Sequence, residues 1–335
     1  MPGSSALRYE AREEDFDGMA AIFLWDRVED LAATILPGVG SNLVSFARSS
    51  LEMEYLFSPP SLAELRARPT RFGNPVLLPP NRIWEGSFTF AGRTYRLPIN
   101  RPPHHIHGLV HSLPWRVLGL EADEMGARAR TVLIGREHPS FAEVFPQDFR
   151  LALEFSLQDG ALRITAEATN FGPAPFPFGL GYHTYFRLPM KDGEDPGDYR
   201  LSLPAQARWE LKDCFPTGRL LPLGEGERPI AARVADLRLD DVFTELAPGE
   251  PEIVARLWHE PSGRGIAYAS GRGFPHWVVW TGPAPGAPFV CLEPYSWVTN
   301  APNLPLPASL TGLVSLAAGE SWREWVEFRP FGPVG

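Results

Sequence analysis

The chain has 335 residues, 44% of them hydrophobic and 21% charged, and a formal net charge of −9. These are globular proportions, and ten Trp, eight Tyr and twenty-one Phe supply a large core. The negative charge, with Lys and Arg scattered where a basic stripe would be needed, excludes nucleic acid as a partner and fits a neutral ligand better.

Cys214 and Cys291 are too few for a disulfide scaffold and lack the paired spacing of a zinc site, which favours a reduced, cytoplasmic setting. The stretch "MPGSSALRYEAREEDFDG" has no basic lead into an apolar run, and no later stretch approaches a membrane span, so neither export nor membrane insertion is expected. Thirty-six prolines and thirty-one glycines interrupt any long helical periodicity. The expectation is all-β: one large antiparallel β-sandwich over residues 1–335, as a single domain with few short helices.

In chain order, "SPPSLAELRARP" predicts a short helix, with Ser61 and Glu64 at capping-box spacing and Pro69 as the stop. "SFTFAGRTYRL" predicts a hairpin that sets Phe88 and Phe90 against Tyr95 and Leu97. In "RLALEFSLQDGALRITAEATN" the alternating apolar residues on either side of Asp159-Gly160 predict a hairpin with a primed turn. "PFVCLEPY" predicts a strand with Phe289, Cys291 and Glu293 on one face, and "SWREWVEFRP" alternates again near the end.

Polar residues beside Gly, aromatic and apolar neighbours mark a pocket candidate, since a pocket needs a few convergent polar groups in an apolar wall. Four islands qualify: Arg82 in "PPNRIWEG", His107 in "RPPHHIHGLVHSLPW", His183 in "FGLGYHTYFRLP" and Glu293 in "PFVCLEPYSWVTNAPN". Glu293 reads either as a carboxylate paired with an arginine at a sheet edge or as a general base with a raised pKa. His183 reads either as a satisfied core histidine or as a donor framed by aromatic rings, which suits a sugar with its C–H faces and hydroxyls; Gly179 and Gly181 allow close backbone approach there.

The ordered motifs "NRIWEGSFTFAGRTYRL", "HIHG", "GYHTYFRL", "LDDVF" and "VCLEP...NAPN" resemble the aldose 1-epimerase (galactose mutarotase) family over most of the chain, with "GSNLVSF" and "LAAGESWREWVEF" as flanking strands. The resemblance implies a galactose mutarotase-like supersandwich and a mutarotase that opens and recloses an aldose ring. It implies that Arg82, His107 and Asp240 bind sugar hydroxyls, that His183 is the acid and that Glu293 is the base. Trp84, Tyr185 and Trp280 are candidates for stacking or lining. Leu109, His104, Pro294 and Tyr295 depart from the common pattern and bear on which sugar is taken.

The four histidines between His104 and His111 invite a metal reading, but a cupin-like site wants a glutamate soon after His-x-His, and the first one past His107 is Glu121. No metal and no cofactor are expected; His107 reads as a sugar-binding donor, while His104, His105 and His111 line the rim. The two-residue chemistry predicts a bell-shaped pH profile, with Glu293 raising the pKa of His183 and burial raising that of Glu293. The partner is a small-molecule sugar, and the chain is a monomer or a homodimer. Three alternatives stay open. One is a hexose-phosphate mutarotase using Arg101, Arg116 or Arg187; another is a non-catalytic sugar-binding module; the third is a carbohydrate-degrading enzyme with a second acidic residue opposite Glu293.

Overall fold

The computed structural model describes residues 7–224 and 230–333. Period-two alternation is realised almost everywhere it occurs. Phe149–Gln158 and Ala161–Asn170 form a hairpin in which Leu157 faces Leu162, and the turn residues Asp159 and Gly160 have φ of 47° and 74°, as a primed turn requires. In the Ser87–Phe90 and Arg93–Arg96 hairpin, Phe88 stacks on Tyr95, whereas Phe90 faces Arg93. The two-residue turn at Ala91-Gly92 sets that register and leaves Leu97 past the end of the ladder.

Three short α-helices occur among the described residues: Leu62–Ala67, Pro139–Val144 and Ala308–Thr311. The first begins where the capping pattern placed it, with the Ser61 side chain accepting the Glu64 N–H at 3.2 Å.

Apart from three two-stranded ladders, the strands make two large antiparallel sheets and a smaller one. The nine-stranded sheet runs in the order Arg116–Ala122, Ala127–Ile134, Phe149–Gln158, Ala161–Asn170, Ser321–Phe331, Arg264–Ser270, Ile253–His259, Tyr199–Leu203, Ile230–Arg233. The eight-stranded sheet runs Phe215–Pro222, Ala207–Lys212, Asp240–Thr244, His276–Trp280, Phe289–Tyr295, Gly181–Tyr182, Val76–Leu77, and Thr184–Arg187 also pairs with Phe289–Tyr295. Five N-terminal strands between Tyr9 and Glu54 form the third. The large sheets meet through Tyr268 and Phe328 on one and Phe186 and Trp277 on the other, and Phe46 brings the N-terminal sheet onto Phe328.

This layering positions the site. In Phe289–Tyr295, Val290 and Leu292 point into the core between the sheets, so Phe289, Cys291, Glu293 and Tyr295 project from the opposite face.

Candidate active site

Glu293 sits in mid-strand opposite Val278 and is only 2% exposed. Its neighbour on the same face, Tyr295, donates its hydroxyl hydrogen to Glu293 Oε2. The other carboxylate oxygen lies 3.5 Å from His183 Nε2. His183 comes from an adjoining segment anchored by its backbone N–H to the Pro75 carbonyl at 3.0 Å, and it stacks on Tyr185 with ring centroids 4.5 Å apart. Beside it, the Thr184 hydroxyl donates to Asn74 Oδ1 at 2.6 Å within the core.

Close approach of the two segments depends on glycines. A Cβ on Gly179 would lie 2.2 Å from Trp297 Cδ2, and one on Gly181 would lie 2.3 Å from Tyr295 Cδ1. Both positions face rings that a side chain would displace.

His107 meets His183 edge to face at 4.9 Å. It reaches that position because its backbone is left-handed, φ 68°, followed by Gly108 at the same angle, where a Cβ would collide with the Leu78 carbonyl oxygen. Asn81 ties this turn to the neighbouring strand: its carbonyl accepts the His107 N–H at 2.9 Å, and its Oδ1 accepts from both the backbone and the guanidinium of Arg82. Trp280 stands edge-on to His183 and Tyr185, and Asp240 is its cross-strand partner. One row across the sheet is therefore Asp240, Trp280, Cys291 and Tyr185, adjacent to Glu293.

Thus His183, Glu293, Tyr185, Trp280 and His107 are brought into one constellation. Arg82 and Asp240 flank it: the first lowers and the second raises the Glu293 pKa through space. Three contributors escaped the sequence reading. They are Tyr295, noted only as a departure; Asn81, present only within a motif; and Cys291, noted as one of two cysteines and as a strand residue.

Burial dominates the electrostatics. Desolvation pushes Glu293 well above the usual carboxylate range, against the Tyr295 hydrogen bond and Arg82. Desolvation also pulls His183 down to about 3, with Arg82 lowering it further. This corrects the expectation that the carboxylate would raise the histidine: a carboxylate that is itself desolvated holds its proton and offers the imidazole no negative charge. Burial therefore acts against the charged form of both members of the pair.

The histidine cluster separates into different jobs. His104 accepts the Glu85 N–H at 3.0 Å through Nδ1 and packs between Trp84 and Phe215 at the rim. His105 is buried, with Nδ1 2.6 Å from the Pro98 carbonyl oxygen. His111 is pulled down to about 4 by burial. Among the described residues, the potential metal donors that converge are instead His183, Cys291 and Glu293, whose ligand atoms lie within 4.8 Å of one another. Two surface depressions of about 520 Å³, one over Arg163, Glu327 and Arg329 and one beside Tyr95, Gln147 and Phe171, include none of these groups.

Among the described residues no helix is long and apolar enough to cross a membrane. A mouse galactose mutarotase is 25% identical over 281 residues, covering 77% of this chain and 78% of that protein. A rat galactose mutarotase is 28% identical over 204 residues, covering 58% of this chain, and the match spans only 57% of the rat protein's length. Among solved structures, a galactose mutarotase-like protein from Clostridium acetobutylicum has a TM-score of 0.90 at 23% identity, covering 97% of this chain and 99% of that one. Galactose 1-epimerase from Lactobacillus acidophilus has a TM-score of 0.76 at 17% identity, covering 98% and 99%. At those identities the structures show a shared fold. The family described as aldose 1-epimerase matches residues 29–329, and the chain belongs to that family.

Proposed function

We propose that this chain is a mutarotase, interconverting the α and β anomers of an aldose by acid/base ring opening and reclosure. The observation that carries the reading is the buried His183–Glu293 pair, with Nε2 and Oε1 3.5 Å apart on an aromatic-walled sheet face. Glu293 takes the proton of the anomeric hydroxyl as the ring C–O bond breaks, and His183 gives a proton to the ring oxygen. The aldehyde carbon then rotates and the steps run backwards onto its other face.

The reactive form has Glu293 ionised and His183 protonated. Arg82 favours the Glu293 carboxylate. Each positioned proton-transfer group contributes about a hundred- to ten-thousand-fold, so the two suffice without a cofactor. His107 polarises near the ring, Arg82 and Asp240 clamp hydroxyls, and Tyr185 and Trp280 line the apolar face.

Polarimetry on freshly dissolved α-glucose and α-galactose tests the reading. Acceleration proportional to protein concentration is expected; sugar binding with no acceleration would make the chain a binding module instead.

A further inference from the structure

The aromatic wall continues past Tyr185 to an arginine that the reaction above does not use. Residues 71–77 run antiparallel beside residues 181–187. Gly181 pairs with Leu77, the Pro75 carbonyl accepts the His183 N–H, and the Gly73 carbonyl accepts the Tyr185 N–H at 2.9 Å. Two residues further out is Arg71, whose guanidinium lies over the Phe289 ring, 5.6 Å from its centroid. Phe289 packs in turn on Tyr185 at 5.0 Å and Trp280 at 5.4 Å. Arg71 therefore stands on the same sheet face as Glu293, at the outer end of the wall.

Its guanidinium is uncommitted. Among the described residues Arg71 makes neither an ion pair nor a side-chain hydrogen bond, and a phenyl face satisfies none of its five N–H donors. The arginines singled out by their place beside motifs are different: Arg116 is paired with Glu137 at 2.7 Å and Arg187 with Asp192, while Arg101 is exposed beside the rim.

Position supplies the second argument. The field of Arg82 reaches Glu293 and His183, whereas that of Arg71 reaches Tyr185 and Cys291, so the two cations bracket the site from opposite ends. Phe289 and Glu293 are four residues apart on one strand, about 13 Å between Cα atoms at the usual rise.

Resting on the mutarotase reading, we propose that the substrate is an aldose bearing an oxyanion on the carbon farthest from the anomeric centre, held by Arg71 while Arg82 serves the reacting end. A guanidinium fork matches phosphate, sulfonate and carboxylate oxygens in a bidentate fashion. The net charge of −9 disfavours long-range approach, but solvent ions screen that field over about 8 Å and the local pairing acts at contact.

The test compares kcat/KM and calorimetric binding for glucose, glucose 6-phosphate, 6-deoxy-6-sulfoglucose and glucuronate, using the full chain and its Arg71→Met and Arg71→Lys variants. At least one charged sugar should be preferred over glucose, and its identity tells which oxyanion is taken. Arg71→Met should lower the charged-to-neutral ratio by about ten- to a hundred-fold, with Arg71→Lys between, because it keeps the charge but loses the fork. Equal handling of charged and neutral sugars by the parent overturns the proposal. So does an equal loss on both in Arg71→Met, which would mark Arg71 as packing on Phe289. If no sugar is turned over but charged sugars bind in an Arg71-dependent way, the clamp stands and the mutarotase reading falls; absence of both removes both.

Discussion

Glu293 and His183 show how strongly burial can reorder two ordinary side chains. Removing only the basicity of Glu293, as Glu293→Gln does, should cost at least about a hundred-fold in kcat while leaving the circular dichroism spectrum unchanged. A variant that keeps more than a tenth of the parent rate would remove Glu293 from the base role. The pH profile follows from proton counting. The reactive pair holds one proton, so activity falls where His183 accepts a second and where Glu293 loses the last. Because His183 is pulled down to about 3 and Glu293 is pushed well above its usual value, the plateau should extend far to the acid side. Measured from pH 3 to 9, kcat/KM at pH 5 should remain within about twofold of its neutral value, and an acid midpoint near the ordinary 6.5 would show that His183 is not desolvated. His183→Asn should lose that acid limb together with most of the rate.

At the scale of elements, the site depends on how closely the 179–183 segment lies against Phe289–Tyr295. Gly181 is the tight point, since any side chain there meets the ring of Tyr295, which holds Glu293 through its hydroxyl. Gly181→Ala is expected to cost about 1–3 kcal/mol of stability by overpacking and to depress kcat more than KM, because the displaced ring moves the base. Urea unfolding read beside steady-state kinetics checks this. Loss of stability with an untouched kcat would separate the glycine contact from the chemistry.

Across the whole molecule, a buried hydrophobic cluster runs from Tyr9 to Phe328 and draws on all three sheets. We propose that the chain unfolds as one domain, so that tryptophan fluorescence and far-ultraviolet circular dichroism should give coincident transitions. Acid should weaken it. Burial lowers the pKa of His105, His107, His111, His183 and His276, so below about pH 6.5 the unfolded chain binds protons that the native state refuses. Stability from these groups is complete above that value and is lost as pH falls. Glu54, Asp241, Glu293 and Glu324, whose folded pKa values are raised by burial, work in the opposite direction, as four groups against five. The urea midpoint should therefore drop between pH 7 and pH 5, and a midpoint that stays level would contradict the burial of these imidazoles.

Much of this was written locally. Alternation around Asp159-Gly160, the Ser61 cap and the face shared by Phe289, Cys291 and Glu293 depend on neighbours a few residues away, so the sequence alone determined them. Ordered motifs also carried the family, because they recur in a fixed order along the chain. What tertiary structure decided is what depends on distance through space. The left-handed turn that aims His107 at His183, the hydroxyl of Tyr295 on Glu293, the dispersal of the four clustered histidines and the guanidinium of Arg71 over Phe289 join residues far apart in the chain. So do the opposed shifts of His183 and Glu293, since desolvation is set by everything that packs around a group, and no local pattern reports that sum.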